Sequence, residues 1–278
     1  MPAEWGWLYV VVASLLGLLL GSFLNVCIYR IPRDISVIAP RSFCPECGAQ
    51  VAWFDNLPVL SYLALRGKCR RCGKSIGVRY PIVELLTAAL FGLVVYRYGP
   101  TAYAGKWLLW EAILIVLFWT DLEEQILPDE LTLAGAALGI ALAFVLPVKA
   151  PFVAAFLPSW RAIWLSLLSI GLGIACLAVP MWLLGVLYQK VRRREGLGFG
   201  DVKLLVLMST FLGFENTIFA TMLGAVGGSL VGLGYCAITR RKPSETELPF
   251  GSFLCAGGAL VPLIYRLAES NIAAHQRL

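Results

Sequence analysis

An all-α polytopic membrane protein of about eight spanning helices, carrying one cysteine-bearing insertion on its basic face, is the fold class this sequence predicts. Three observations predict it. The 278 residues are 59% hydrophobic and only 14% charged, whereas soluble domains run nearer half apolar and a quarter charged. Several runs exceed the roughly 18 apolar residues that read as a membrane-crossing helix. Alternating ten-residue strands, the mark of a barrel, are absent, and only helices or closed barrels satisfy the backbone in lipid.

The expected helices follow in order. The first, 6–29, includes "WLYVVVASLLGLLLGSFLNVCIY". It has no basic start and is longer than the 7–15 residues of a cleaved apolar core, so it reads as a retained helix. The others are expected at 82–98, 104–120, 131–148, 162–188, 202–214, 216–238 and 250–267. The domain reading is a first helix (1–29), a cytoplasmic insertion (30–81) and a seven-helix core (82–278). The helix at 202–214 is short, since about 13 residues at 1.5 Å each span roughly 20 Å of a core about 30 Å thick. It is retained because non-helical backbone at membrane depth is tolerated beside water or protein.

Most of the 23 Lys and Arg residues fall in three segments: the insertion, 189–201 with Arg192, Arg193 and Arg194, and 239–249 with Arg240, Arg241 and Lys242. An eight-helix arrangement puts all three on one face, which the positive-inside rule makes cytoplasmic. Both termini then lie outside, along with Arg266 and Arg277.

Inside the insertion, "CPEC" and "CRRC" place Cys44, Cys47, Cys69 and Cys72 as two C-x-x-C pairs with 21 residues between them. Two such knuckles make a closed tetrahedral thiolate site for zinc, structural because no position is left for water. An insertion of about fifty residues cannot bury enough to hold itself together and gains from a metal. The alternative is a pair of disulfides, which a reducing cytoplasm disfavours. Cys27, Cys176, Cys236 and Cys255 sit in or beside apolar runs and read as small packing residues.

Two acids stand out near membrane depth on the basic face. "FWTDLEEQILPDE" puts Asp121 at the end of the third span, and "GFGD" puts Asp201 at the start of the sixth. Ionisable groups there are costly and usually functional. Two neighbouring carboxylates titrate as a pair, one keeping a proton as general acid while the other activates water, which is aspartyl-protease chemistry. Gly198 and Gly200 would allow unusual backbone angles and a close approach to Asp201. An ordinary turn with Asp201 as a helix N-cap is the bland alternative. Asp129 rivals Asp121, although Pro128 suggests a helix start that makes Asp129 a first-turn acid. The single histidine, His275, removes serine triads, cysteine–histidine dyads and H-E-x-x-H sites from consideration. Only Glu111 lies well inside a span, which argues against an ion-coupled transporter. No feature points to nucleic acid.

These residues resemble the type IV prepilin peptidase family, the bifunctional leader peptidases and N-methyltransferases of pilus, type II secretion and competence systems. The stretches that carry the resemblance are "GSFLNVCIYRIP", "RSFCPEC", "WFDNLPVLSYLALRGKCRRCGKSIGVRYPIVELLTA", "DLEEQILPDELTL" and "GFGDVKLL". The resemblance implies Asp121 and Asp201 as the catalytic pair of a GxGD-type aspartyl protease in the bacterial inner membrane, with its site facing the cytoplasm. It implies a prepilin or pseudopilin substrate cut after a short basic leader, and then methylation of the new N-terminus by S-adenosylmethionine. The methyl-donor residues carry no fingerprint; "RYPIVE", with Arg79, Tyr80 and Glu84, is a candidate. The alternative within the same chemistry is a presenilin-like peptidase without methyl transfer. Glu123, Glu124, Asp129 and Glu130 form an acidic gap in the basic face, a candidate seat for the substrate's basic leader. The oligomeric state has no signature in the chain.

Overall fold

The computed structural model describes residues 3–192, 198–239 and 249–275, with side chains from 6 to 191, 198 to 239 and 249 to 264. Arg193, Arg194, Arg240, Arg241, Lys242 and Arg277, on which part of the orientation reading rests, lie outside the described residues. Ten α-helices are described: α1 (Ala3–Arg30), α2 (Leu60–Ala64), α3 (Arg79–Tyr98), α4 (Ala102–Glu124), α5 (Asp129–Val145), α6 (Pro151–Phe156), α7 (Ala162–Gly173), α8 (Val179–Arg192), α9 (Phe199–Thr239) and α10 (Phe250–His275). Among the described residues there is no β-strand, and the chain divides into two compact units, residues 1–116 and 117–278.

Five described helices are long and apolar enough to cross a membrane: Gly6–Arg33, Arg79–Tyr98, Ala102–Glu124, Ala162–Val191 and Phe199–Thr239. The expected count was eight. The difference has identifiable sources. α9 runs 41 residues and merges two expected spans, α5 has 17 residues, and the apolar part of α10 is the shorter Phe250–Ile264. The break expected between the short sixth helix and its successor is present inside α9 at Gly213, whose φ of 77° lies in the left-handed region. The N–H of Phe214, displaced from the helical ladder there, donates to Ser169 Oγ at 2.9 Å. A kink at membrane depth is thus paired internally, as lipid requires. Between α7 and α8 a π-helical turn, Ile174–Ala178, precedes Pro180, whose missing N–H explains the widened turn.

In the first unit α1 packs against α3 through glycines one turn apart. A Cβ on Gly17 would stand 2.7 Å from the Ala88 Cα, and one on Gly21 2.7 Å from the Glu84 Cα. Small residues at i and i+4 let the two backbones meet, which is how helices adhere where no hydrophobic effect separates protein from lipid. In the second unit the hydroxyls of Ser209, Thr210 and Thr217 bond carbonyls of their own helix, so α9 buries polar residues without orphaning them.

Candidate functional site

Asp121 ends the third span as expected, in the last turn of α4, and is 6% exposed. Its Oδ2 accepts two hydrogen bonds from Ser252, one from the backbone N–H at 2.5 Å and one from the hydroxyl at 2.8 Å. Ser252 is the third residue of α10, so the carboxylate sits on that helix's N-terminal dipole and takes one of its orphan donors. The Ser252 hydroxyl also lies 3.0 Å from the Phe118 carbonyl. Its single proton can serve either acceptor, so it donates to Asp121, or accepts from a protonated Asp121 while donating to Phe118. Ser252 was not reached from the sequence. The available signal was "PFGS", a proline and a glycine ahead of a serine opening the last apolar run.

Asp201 is the third residue of α9 and is half-buried, with its N–H donating to Gly198 O at 3.1 Å. It is therefore inside the first turn and does not occupy the N-cap. Asp121 is close enough for its charge to act on Asp201, and both act on Cys255, one turn beyond Ser252. Leu127 explains how the elements converge. A Cβ on Gly200 would meet the Leu127 side chain at 3.2 Å, and one on Gly251 would meet Leu127 Cδ1 and the Asp121 carboxyl, both at 3.0 Å. Gly200 has no positive φ, and a Cβ on Gly198 would stand 3.8 Å from Asp201 Oδ2, an ordinary contact. Gly200 is small because Leu127 occupies the space a side chain would need.

Asp129 lies elsewhere. It is exposed at the first turn of α5, and its Oδ1 pairs with Lys203 Nζ at 2.5 Å. Its charge is answered by a cation two residues past Asp201. Glu123 and Glu130 are exposed and Glu124 is half-buried, so the acidic turn does present itself at the surface.

The four predicted thiols of the insertion converge in the first unit. Cys44, Cys47, Cys69 and Cys72 place their sulfurs within 4.8 Å of one another, with Cys44 and Cys72 at 3.9 Å. A tetrahedral zinc with Zn–S near 2.3 Å requires S···S of about 3.8 Å, so the set fits the metal; a disulfide, at about 2.05 Å, is far shorter. The two knuckles are near copies. In each, the cysteine N–H reaches a carbonyl five residues on (Cys44 to Ala49, Cys69 to Lys74), and a glycine of positive φ, Gly48 or Gly73, donates back to the cysteine carbonyl. Backbone N–H groups of Cys72 and Arg71 pull the Cys69 thiol down to about 7, while the Cys72 thiol beside it is pushed up to about 11.

The family model for the bacterial peptidase A24 N-terminal domain matches residues 15–98, and that for the type IV leader peptidase family matches residues 108–233. A prepilin leader peptidase/N-methyltransferase of Myxococcus xanthus is 38% identical over 247 residues, covering 89% of this chain and 69% of the relative. The chain belongs to the type IV leader peptidase family. Similarly named relatives include one of Pseudomonas putida, 32% identical over 92% of this chain and 90% of the relative, and one of Neisseria gonorrhoeae, 34% identical over 91% and 89%. No solved structure matches. The A24 N-terminal match contains the cysteine quartet, and the leader peptidase match contains both aspartates.

Proposed function

We propose that this chain is a prepilin leader peptidase/N-methyltransferase. In this reading it removes the leader of prepilins or pseudopilins and then methylates the exposed amine with S-adenosylmethionine. The observation that supports the peptidase half is that Asp121 and Asp201, eighty residues apart in the chain, lie close enough for the charge of one to act on the other, with Leu127 packed against Gly200 beside Asp201 and against Gly251 beside Asp121. In the proposed cycle one carboxylate removes a proton from water as it adds to the scissile carbonyl. The other, protonated, donates to the carbonyl oxygen, and the proton then passes to the departing amine. Ser252 holds Asp121 through this cycle because its hydroxyl pairs with either protonation state. The close packing of Leu127 against Gly200 and Gly251 fixes the carboxylates, so little reorganisation is needed at reaction.

Eight membrane segments are proposed, with residues 30–81 a cytoplasmic insertion and 82–278 the core, in the inner membrane with the aspartates toward the cytoplasm. Cys44, Cys47, Cys69 and Cys72 would hold a structural zinc that folds the insertion. Glu123, Glu124 and Glu130 would orient the basic leader, a steering role for exposed charge; Asp129, paired with Lys203, contributes less. The test is incubation of the purified protein in lipid with a synthetic prepilin N-terminal segment and S-adenosylmethionine, followed by mass measurement. The expected product lacks the leader and carries one added methyl. An uncut segment in the presence of metal-replete protein would overturn the reading.

A further inference from the structure

A cavity of ≈ 420 Å³ lies within the first unit, inside the range of small-molecule sites. It is bounded by α1, by α3 and by the insertion, with Cys44 and Cys69 of the two knuckles in its wall. None of the peptidase residues takes part in it.

Its polar equipment is unusual for a place where a helix pair meets a loop. Glu84 of α3 is 7% exposed, and its carboxylate accepts the Val59 N–H at 2.7 Å. No lysine or arginine among the described residues neutralises it, and a buried carboxylate without a cation is costly. Asn25 of α1 is 1% exposed. Its Nδ2 is engaged by the carbonyls of Tyr80 and Gly21, but its Oδ1 accepts nothing. Buried polar atoms left unpaired are rare and call for a reason.

The backbone beside Glu84 is strained. Val59, a β-branched residue, has φ 59° and ψ −47°, and Leu60 N–H donates to Pro58 O across it at 2.5 Å. That is a γ-turn of the rare hand, a conformation that persists only where surroundings enforce it and that gathers at ligand clamps. The enforcing contact is the bond from Val59 to Glu84. Tyr29, Tyr62 and Tyr80 add aromatic surface to the same wall, and Arg71 adds a cation.

A ligand matched to this wall carries a positive charge for the buried carboxylate, a flat ring for the tyrosines and an anionic end for the arginine. We propose that this cavity binds S-adenosylmethionine, with Glu84 supplying the negative charge opposite the sulfonium, the tyrosines receiving the nucleoside, and Asn25 accepting a hydrogen bond. The inference rests on the methyltransferase half of the proposed function and deepens it by assigning the donor site to residues 22–84. In the transfer, the lone pair of the substrate amine forms the N–C bond to the methyl group. The C–S pair goes to sulfur, leaving a neutral thioether, and the amine's surplus proton goes to solvent. The loss of positive charge from sulfur removes the attraction to Glu84, which favours release of the spent donor.

The test measures binding and two activities on the full-length protein in lipid. S-adenosylmethionine and S-adenosylhomocysteine differ in the sulfonium charge. Glu84→Gln should therefore weaken S-adenosylmethionine about tenfold by calorimetry and S-adenosylhomocysteine much less, an effect of the size expected for one desolvated charge contact. Tyr80→Leu should weaken both. Both variants should cleave prepilin at the wild-type rate, which also shows that they fold, while the KM for the donor rises. Ultraviolet cross-linking of labelled S-adenosylmethionine to wild-type protein, followed by peptide mapping, gives a readout independent of any variant; label is expected within residues 22–84. If the wild type methylates but its label maps to residues 117–278, or both variants keep wild-type affinity, the assignment of the cavity is overturned and the proposed function stands. If the wild type cleaves but neither binds nor methylates with S-adenosylmethionine, the methyltransferase half of the function falls, and this inference falls with it.

Discussion

In the insertion between α1 and α3, Trp53, Leu60 and Leu63 are 72%, 66% and 65% exposed. Around Asp121, by contrast, Leu127, Ser252, Leu254 and Cys255 are all buried. The first region has few apolar contacts to hold it, and what it has instead is polar: a bidentate Arg70–Asp55 pair at 2.6 and 2.8 Å, Arg70 over the Phe54 ring, and four sulfurs within reach of one metal. The second is close-packed, with polar groups taken up by their own helices or by helix termini. The contrast teaches that the two regions should fail under different insults. Chelation and acid should act on the insertion, and changes of single atoms should act on the aspartate site.

The largest expected effect is at the aspartates. Asp121→Asn and Asp201→Asn each keep shape but remove a proton acceptor, and each should lower cleavage by on the order of 10³-fold or more, with the double variant little worse than either single one. Methylation of a peptide already beginning at its mature N-terminus should be unchanged in both. Loss of that activity would show the two regions to be one functional unit. Asp129→Asn should leave most cleavage intact, because it breaks only a solvent-exposed pair with Lys203; a dead Asp129→Asn beside an active Asp121→Asn would reverse the assignment.

Next in size is the insertion. Cys44→Ser or Cys72→Ser should reduce bound zinc from about one per chain and open residues 30–78 to protease while the membrane helices persist. Acidification should act in the same direction for two reasons. Protons compete with metal for thiolates as pH falls. Arg70 also holds the Asp55 carboxyl below its usual range, so the stability that pair provides is present above the usual aspartate value and is lost as pH drops through the lowered one. Metal analysis and limited proteolysis across a pH series check both. A metal-free insertion that resists protease at neutral pH would refute the metal's structural role.

A smaller change is expected at Ser252. Ser252→Ala removes the hydroxyl donor to Asp121 but leaves the backbone N–H, so kcat for cleavage should fall about tenfold with KM little altered, somewhat less than the loss of an isolated catalytic donor. Ser252→Thr should restore most of it and return the pH profile toward wild type. A change confined to thermal stability would make Ser252 a packing residue only. Smallest is the acidic turn. Glu123→Lys with Glu124→Lys should raise KM several-fold at low salt and little at high salt, where exposed charges are screened. A substrate whose leader carries Glu in place of its basic residues should recover part of the loss, and an unchanged KM at low ionic strength would leave the turn without a role in docking.

Some of this was determined by the sequence alone, and the reason is range. The cysteine knuckles are local: C-x-x-C followed by glycine builds each half from neighbours, and the 21-residue spacing only has to let the halves meet. The apolar runs fix helices the same way, and the break near residue 213 was visible as a shortened span. What tertiary structure decided involves partners far apart along the chain. Asp121 and Asp129 share one short stretch and look equivalent there; packing buries Asp121 against Ser252 and leaves Asp129 exposed and paired with Lys203. Ser252 reaches Asp121 across 131 residues, and no local pattern encodes that contact. The number of crossings also needed the fold, because a positive-φ glycine joins two short helices into one 41-residue element whose kinked N–H is paired by Ser169 on another helix. The cavity, likewise, exists only where Glu84 and Asn25 of two helices meet a strained turn of the insertion, since a void is a property of packed surfaces and has no spacing to read.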